Sequence, residues 1–177
     1  MQRNEVYYDI ETQLSAEEVG GWGNAHLMLI SVAVTWSPGD LFKLWEAPTA
    51  PQLIEYLNGF DSVISFNGDG FDSKVLSYYG NIDLIRQRSF DVLVDLTRRL
   101  GHRVSLDSLA LSTLGIGKTA DGLMALRWWK EGKIEQIAEY CRQDVQVLID
   151  IVHYGRANGL VKYSDRSGGS RTVAVTW

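Results

Sequence analysis

The run Val6-Tyr7-Tyr8-Asp9-Ile10-Glu11 constrains this chain more than any other stretch. Its β-branched and aromatic residues predict a strand. Side chains of a strand alternate faces, so Asp9 and Glu11 point the same way. Two like charges on one face repel, and burying either is costly without a neutralising partner. The nearest Lys or Arg in sequence, Arg3, lies outside the run. The fold must therefore leave that face in water, as on an edge strand, or bring positive charge to it. A divalent cation is the natural partner for paired carboxylates.

A chain of 177 residues, 45% of them hydrophobic, suits a single domain spanning 1–177. No stretch has the length of a transmembrane helix, and the first five residues lack the apolar core of a signal peptide, so no membrane contact is expected. One cysteine, Cys141, cannot form an internal disulfide, and a reducing, cytoplasmic setting is expected. The net charge of -5 argues against a generic polyanion binder. That charge is uneven. Residues 86–133 hold nine Lys/Arg and five acids, a surplus of +4 that leaves -9 for the rest of the chain. A basic segment beside an acidic remainder fits a nucleic-acid groove next to a metal site, or simply solvated helix faces.

The first half reads as strands. Val6–Ile10 precedes a Glu- and Gly-rich loop reaching about Ala25. Leu27–Trp36 and Leu41–Trp45 read as a hairpin around Ser37-Pro38-Gly39-Asp40. A short helix over 50–58 follows, with Thr49 as its cap and Pro51 near its start. Ser62–Phe66 reads as a buried strand. The second half reads as helices over Gly70–Tyr79, Val92–Leu100, Leu106–Leu114, Leu123–Lys130 and Ile134–Asn158, with a brief strand before Asp91. The tail over 158–177 reads as a hairpin around Asp165–Gly169. This order predicts an α/β fold, a mixed central sheet flanked by helices, with a C-terminal β-hairpin.

Two further acids interrupt apolar faces. On the last long helix, Ile137, Cys141, Leu148, Ile151 and Val152 mark the core stripe, and Asp144 fills its missing place. Tyr140, one turn earlier, can reach the same region. On the helix near Phe71, Val75, Leu76 and Tyr79 form the apolar face that Asp72 completes. Asp72 alone could be a helix N-terminal acid, and Asp144 alone a partner for a buried arginine. Asn67 ends the preceding strand, and Gly68 and Gly70 open a tight turn beside it.

Together these residues resemble the DEDD exonucleases, the DnaQ-like branch of the ribonuclease H-like superfamily. Asp9-Ile10-Glu11-Thr12 is similar to the first motif, D-x-E. Asn67-Gly68-Asp69-Gly70-Phe71-Asp72 resembles the second, N-x-x-x-F-D. Tyr140-Cys141-Arg142-Gln143-Asp144 resembles the third, Y-x-x-x-D, of the tyrosine subclass. The similarity extends over about residues 5–154 and includes the proofreading domains of family B DNA polymerases. It implies a ribonuclease H-like fold and a 3′→5′ exonuclease that uses two Mg²⁺ or Mn²⁺. By resemblance, Asp9 would bridge both ions, Glu11 and Asp144 would complete the water-activating site, and Asp72 would hold the second ion. Two such ions ~4 Å apart suit phosphodiester hydrolysis. Tyr140 would orient the attacking water, since a phenol with a pKa near ~10 is a poor base at neutral pH.

The implied partner is nucleic acid with a 3′ end, single-stranded and DNA by preference. A helicase or polymerase partner follows only by analogy. Asn67 and Phe71 are candidate contacts to the terminal nucleotide, with Phe71 equally placed for the core. Trp22, in a glycine-rich loop, could stack on a base or close over the sheet. Gly115-Ile116-Gly117-Lys118-Thr119 lacks the first glycine and the preceding strand of a phosphate-binding loop, and Gly115 reads as a helix C-cap. The three histidines share no ligand spacing. Asp91 and Asp95, one turn apart, read as a helix start and a solvated face before a second metal pair. An RNA-specific exonuclease, an endonuclease on the same acids, and a non-catalytic binding module remain the alternatives.

Overall fold

In the computed structural model, residues 3–117, 122–165 and 167–177 are described. Strand β1 (Glu5–Thr12) pairs antiparallel with β2 (Ile30–Ser37), which pairs antiparallel with β3 (Leu41–Trp45). On its other side β1 pairs in parallel with β4 (Ser62–Ser65), and β4 with β5 (Ser89–Asp91). The result is a mixed five-stranded sheet in the order β3-β2-β1-β4-β5. Helix α1 (Ala50–Leu57) joins β3 to β4. Helices α2 (Asp72–Leu76) and α3 (Asp83–Gln87) join β4 to β5. After β5 come α4 (Val92–Leu100), α5 (Leu106–Leu109), α6 (Gly122–Lys130) and α7 (Ile134–Asn158). A separate hairpin, β6 (Leu160–Ser164) and β7 (Ser170–Ala174), ends the fold. No helix among the described residues is long and apolar enough to cross a membrane.

The alternation of β1 divides the interior. Val6, Tyr8 and Ile10 face one core with α1, Val75 and Leu76. Tyr7 faces the other, with α7, Ala125 of α6 and the terminal hairpin. The odd positions Glu5, Tyr7, Asp9 and Glu11 therefore look toward α7. The lengths match. From Glu5 to Glu11 a strand advances about 20 Å at ~3.3 Å per residue. From Asp144 to Arg156 a helix climbs about 18 Å at ~1.5 Å per residue.

At the start of β1 this face is neutralised internally. Arg156 of α7 donates from both terminal nitrogens to Glu5, at 2.7 and 2.8 Å, and from Nη1 to the Tyr7 hydroxyl at 3.2 Å. Burial works against the Glu5 charge, but Arg156 and the Tyr7 hydroxyl outweigh it and hold the carboxyl below its ordinary pKa. His153 packs edge-on against Tyr7 one turn away.

Several elements differ from expectation. The strand predicted over Leu27–Trp36 begins only at Ile30, because Trp22–Leu27 forms a 3₁₀ turn and Leu29 adopts φ 57°. The helix predicted over Gly70–Tyr79 shrinks to Asp72–Leu76. Before it, the Gly70 and Phe71 amides fold back onto the Asn67 carbonyl. After it, the Tyr79 hydroxyl accepts the Ile30 amide hydrogen bond. Leu106–Leu114 splits into α5 and a wider π turn over Ala110–Leu114, which ends at Gly115 with φ 73°. Thr49 does not cap α1 with its side chain; its hydroxyl bonds the Glu46 backbone instead. The periodicity predicts no helix at α3, and the Asn81 side chain accepts from the Asp83 amide in the turn that leads into it. Lys118 and Thr119 of the phosphate-loop lookalike lie outside the described residues.

The exposed edge of β6 is closed by hydroxyls instead of a strand. Thr113 Oγ1 accepts from the Lys162 amide and donates to the Lys162 carbonyl, and Ser108 Oγ accepts from the Ser164 amide.

Replacing Arg156 by Met should leave Glu5 as a buried, uncompensated charge. We expect a loss of about 3–5 kcal/mol in urea denaturation at pH 7. Because the Glu5 pKa is lowered in the folded state, the pair's contribution is present above the unfolded pKa of about 4.3 and is lost as pH falls through the folded value. A loss below about 1 kcal/mol at pH 7 would contradict this role.

Candidate active site

At the far end of β1 the same face gathers carboxylates. Carboxylate oxygens of Asp9, Glu11 and Asp144 all lie within 4.8 Å of one another. The strand supplies two of these acids by its two-residue period, and α7 supplies the third from its core-facing stripe. Asp72 stands beside this triangle at the first turn of α2. Its carboxylate receives the backbone amides of Ile10 and Asp72 itself, and it is buried.

Three of these acids, Asp9, Glu11 and Asp72, are held at a cost. Burial, then the Asp9, Asp144 and Asp72 charges, push the Glu11 pKa well above its ordinary value. Burial and the Asp9 charge do the same to Asp72. Burial raises Asp9 to about 6, opposed by hydrogen bonds from Cys141 and the Ile10 amide. Among the described residues, the groups that act on these three acids are carboxylates, a thiol and backbone amides.

Tyr140 of α7 completes the cluster. Its hydroxyl hydrogen-bonds Asp144. Burial and the charges of Asp144, Glu11 and Asp9 raise its pKa far above the ordinary phenol value, so it stays protonated. Trp128 of α6 packs edge-on against its ring. Beneath the site, the buried Cys141 thiol donates to Asp9 Oδ2 at 3.3 Å and to the Asp9 carbonyl at 3.4 Å. Burial and the Asp9 charge keep that thiol protonated.

The residues fit divalent cations. The donor set is all hard carboxylate oxygen. Asp72 Oδ1 is buried and lacks a hydrogen-bond partner among the described residues, an arrangement that costs free energy unless a ligand completes it.

The loop from Asn67 to Phe71 brings Asp72 to the acids. It turns sharply because Asn67 adopts φ 70°. Gly68 approaches Ser65 and Tyr8 so closely that a Cβ there would overlap the serine side chain. Asp91 clasps this loop. Its carboxylate accepts the Asn67 and Asp69 amides at 2.9 and 3.1 Å, and the Leu93 and Val94 amides at the start of α4. Asp95 is taken by Arg99 and by the Trp177 indole nitrogen. Asp91 thus starts α4, as expected, while Asp95 is a partly buried tether and not a solvated face.

An open cleft of about 500 Å³ is lined by Asp9, Asn67, Arg103, Leu106 and Asp144. A smaller recess of about 270 Å³ adjoins it at Leu106 and Asp144 and takes in Tyr140, Gln143 and Ile116. Another cleft of about 500 Å³ lies at the opposite end of β1, where Glu5 and Arg156 neutralise each other. The candidate site is therefore the cleft at the acidic end. Phe71 is half-buried against the core that holds Val75 and Leu76, and Trp22, 70% exposed, meets it edge-on at 5.9 Å. Trp128 and Trp129 both pack on the core between β1 and α7. Of the basic residues between 86 and 133, Arg88 binds two backbone carbonyls, while Arg99, Lys130 and Lys133 pair with acids. Arg103 is different: it faces the cleft and donates to Asn67 Oδ1 at 2.9 Å. Sequence reasoning did not single out Arg103, Cys141 as a donor or Asp91 as a clasp. Only the excess of basic residues hinted at the first.

A profile of the RNase_H superfamily matches residues 6–155. The chain belongs to the RNase_H superfamily. No curated protein sequence matches it. Among solved structures, this RNase_H-superfamily chain resembles the family B DNA polymerase of the hyperthermophilic archaeon Pyrobaculum calidifontis, with TM-score 0.62 and 14% identity over 85% of this chain and 24% of that one. It also resembles the RNase D of Trypanosoma brucei, with TM-score 0.60 and 15% identity over 86% of this chain and 57% of that one. At these identities the likeness is one of fold. The chain spans about a quarter of the polymerase and just over half of the RNase D.

Because the folded pKa values of Asp9, Glu11 and Asp72 are raised, the folded state binds protons more tightly than the unfolded state. Metal-free stability from this site should therefore be greatest below the unfolded pKa of about 4 and fall as pH rises through 6 and beyond. At pH 8, Glu11→Gln should stabilise the metal-free protein by about 1–2 kcal/mol. Titrating Mn²⁺ should raise the wild-type Tm, and more at pH 8 than at pH 5.5. Melting curves with and without Mn²⁺ check this; a Tm indifferent to Mn²⁺ at both pH values would contradict it.

Proposed function

We propose that this chain is a metal-dependent 3′→5′ exonuclease of the DEDD tyrosine subclass. It would act on single-stranded nucleic acid, DNA by preference, and release nucleoside 5′-monophosphates. The observation that carries this reading is the convergence of Asp9, Glu11 and Asp144 to within 4.8 Å, beside an Asp72 oxygen that has no hydrogen-bond partner among the described residues. Membership of the RNase_H superfamily supports it.

In this reading Asp9, Glu11, Asp72 and Asp144 hold two Mg²⁺ or Mn²⁺. Such ions supply Lewis acidity at the scissile phosphate and a hydroxide at neutral pH. The protein's own residues do the rest. The strand fixes Asp9 and Glu11 in mutual register, and Cys141 holds one oxygen of Asp9. Tyr140, protonated and bonded to Asp144, orients the attacking water and is not its base. Asn67, Phe71 and Trp22 are our candidates for contacts to the terminal nucleotide. We read 1–177 as one catalytic domain acting in the cytoplasm, with a helicase or polymerase partner by analogy only. The likeness to an RNase D favours a second reading on the same acids, an exonuclease acting on RNA.

Single-stranded DNA and RNA labelled at the 5′ end, incubated with Mn²⁺, should shorten stepwise and yield 5′-mononucleotides. Asp9→Ala and Asp144→Ala should each lower the rate about a thousand-fold or more. Tyr140→Phe should lower kcat about ten- to a hundred-fold while keeping the Mn²⁺-induced rise in Tm. Internal fragments would replace this reading with an endonuclease. Equal hydrolysis by wild type and Asp9→Ala would remove the enzyme reading altogether.

A further inference from the structure

We infer that Arg103 grips the phosphate one step inside the strand, next to the phosphate being cut; this deepens, and rests on, the exonuclease reading above. Among the described residues Arg103 is the only cation lining the cleft that holds Asp9 and Asp144. It is exposed, yet its position is fixed from both sides. Helix α4 ends at Gly101 in a left-handed turn with φ 75°, and Ser105 caps α5 by accepting from the Ser108 amide. Between these points Val104 packs on the core, and His102 packs against Tyr163 at 5.8 Å. The guanidinium donates from Nη2 to Asn67 Oδ1. Asn67 is itself rigid, since Asp91 holds its amide and Gly70 leaves its side chain the room a Cβ would take.

A guanidinium carries five donors in a planar fork, and Asn67 takes one. A phosphodiester is the anion such a fork fits. The scissile phosphate must lie against the acids that would hold the cations. Arg103 is bonded to Asn67, and no ion pair joins it to Asp9. On the Asn67 side of the cleft it is set to meet a phosphate other than the one held at the acids. A strand cut at its 3′ end has no phosphate beyond the terminal nucleotide, so the neighbouring phosphate is the next one inward. The chemistry specifies an oligonucleotide of at least two phosphodiesters as the substrate that uses this contact.

The test compares two substrates of the Mn²⁺-loaded full chain. One is a single-stranded oligonucleotide; the other is the p-nitrophenyl ester of a nucleoside 5′-monophosphate, which has only one phosphodiester. In Arg103→Gln the ratio of kcat/KM on the oligonucleotide to that on the ester should fall about ten-fold, mainly through KM. The slope of log KM against log salt should fall by about 0.7, the counterion share of one single-strand phosphate. Arg103→Lys, which keeps the charge but loses the fork, should restore the slope and recover only part of the ratio. An unchanged ratio in an active Arg103→Gln protein would overturn the assignment, as would equal losses on both substrates. Wild type that cleaves neither substrate would instead end the nuclease reading itself.

Discussion

The packing of α7 along one face of β1 is the constraint on which the rest depends. Four alternate residues of the strand meet four successive turns of the helix. At one end Glu5 and Tyr7 meet Arg156, and the charge is cancelled inside the protein. At the other end Asp9 and Glu11 meet Asp144 and Cys141, and the charge accumulates. The same strand period that builds the core also delivers the carboxylates, so neither can slip by one residue without losing both.

This arrangement places stability and chemistry in opposition along a single interface. The sheet is buried on both sides, with Val6, Tyr8 and Ile10 against one core and Tyr7 against the other. That apolar surface supports a cluster of acids which, as bare side chains, destabilise one another. Buried like charges with raised pKa values persist in a fold only when surrounding packing over-determines them. Asp91 shows how local the support is. One carboxylate, through four backbone amides, fixes both the loop that presents Asp72 and the helix that leads to Arg103.

Much of this was legible in the sequence because it is periodic. The strand β1, the helix Ile134–Asn158 and the break in its apolar stripe at Asp144 all follow from periods of two and 3.6. The acid at position 72 was placed on a helix, but the helix is half the expected length, because side-chain bonds from Tyr79 and the turn at Asn67 end it from outside. Leu29 begins β2 late for a reason no propensity encodes, a left-handed residue joining a 3₁₀ turn to a strand. Arg103 was counted only as one of nine basic residues, since nothing in its neighbours announces a contact 36 positions away. Long-range clasps such as Asp91 to Asn67 are equally silent in a single sequence.

The most direct measurement is the anomalous scattering of a crystal soaked with Mn²⁺ and a nucleoside 5′-monophosphate. Two strong peaks, one against Asp9, Glu11 and Asp144 and one reaching Asp72, with the phosphate lying against them, are the expected result. A map with no manganese at these carboxylates, and their oxygens instead sharing protons with one another, would contradict it.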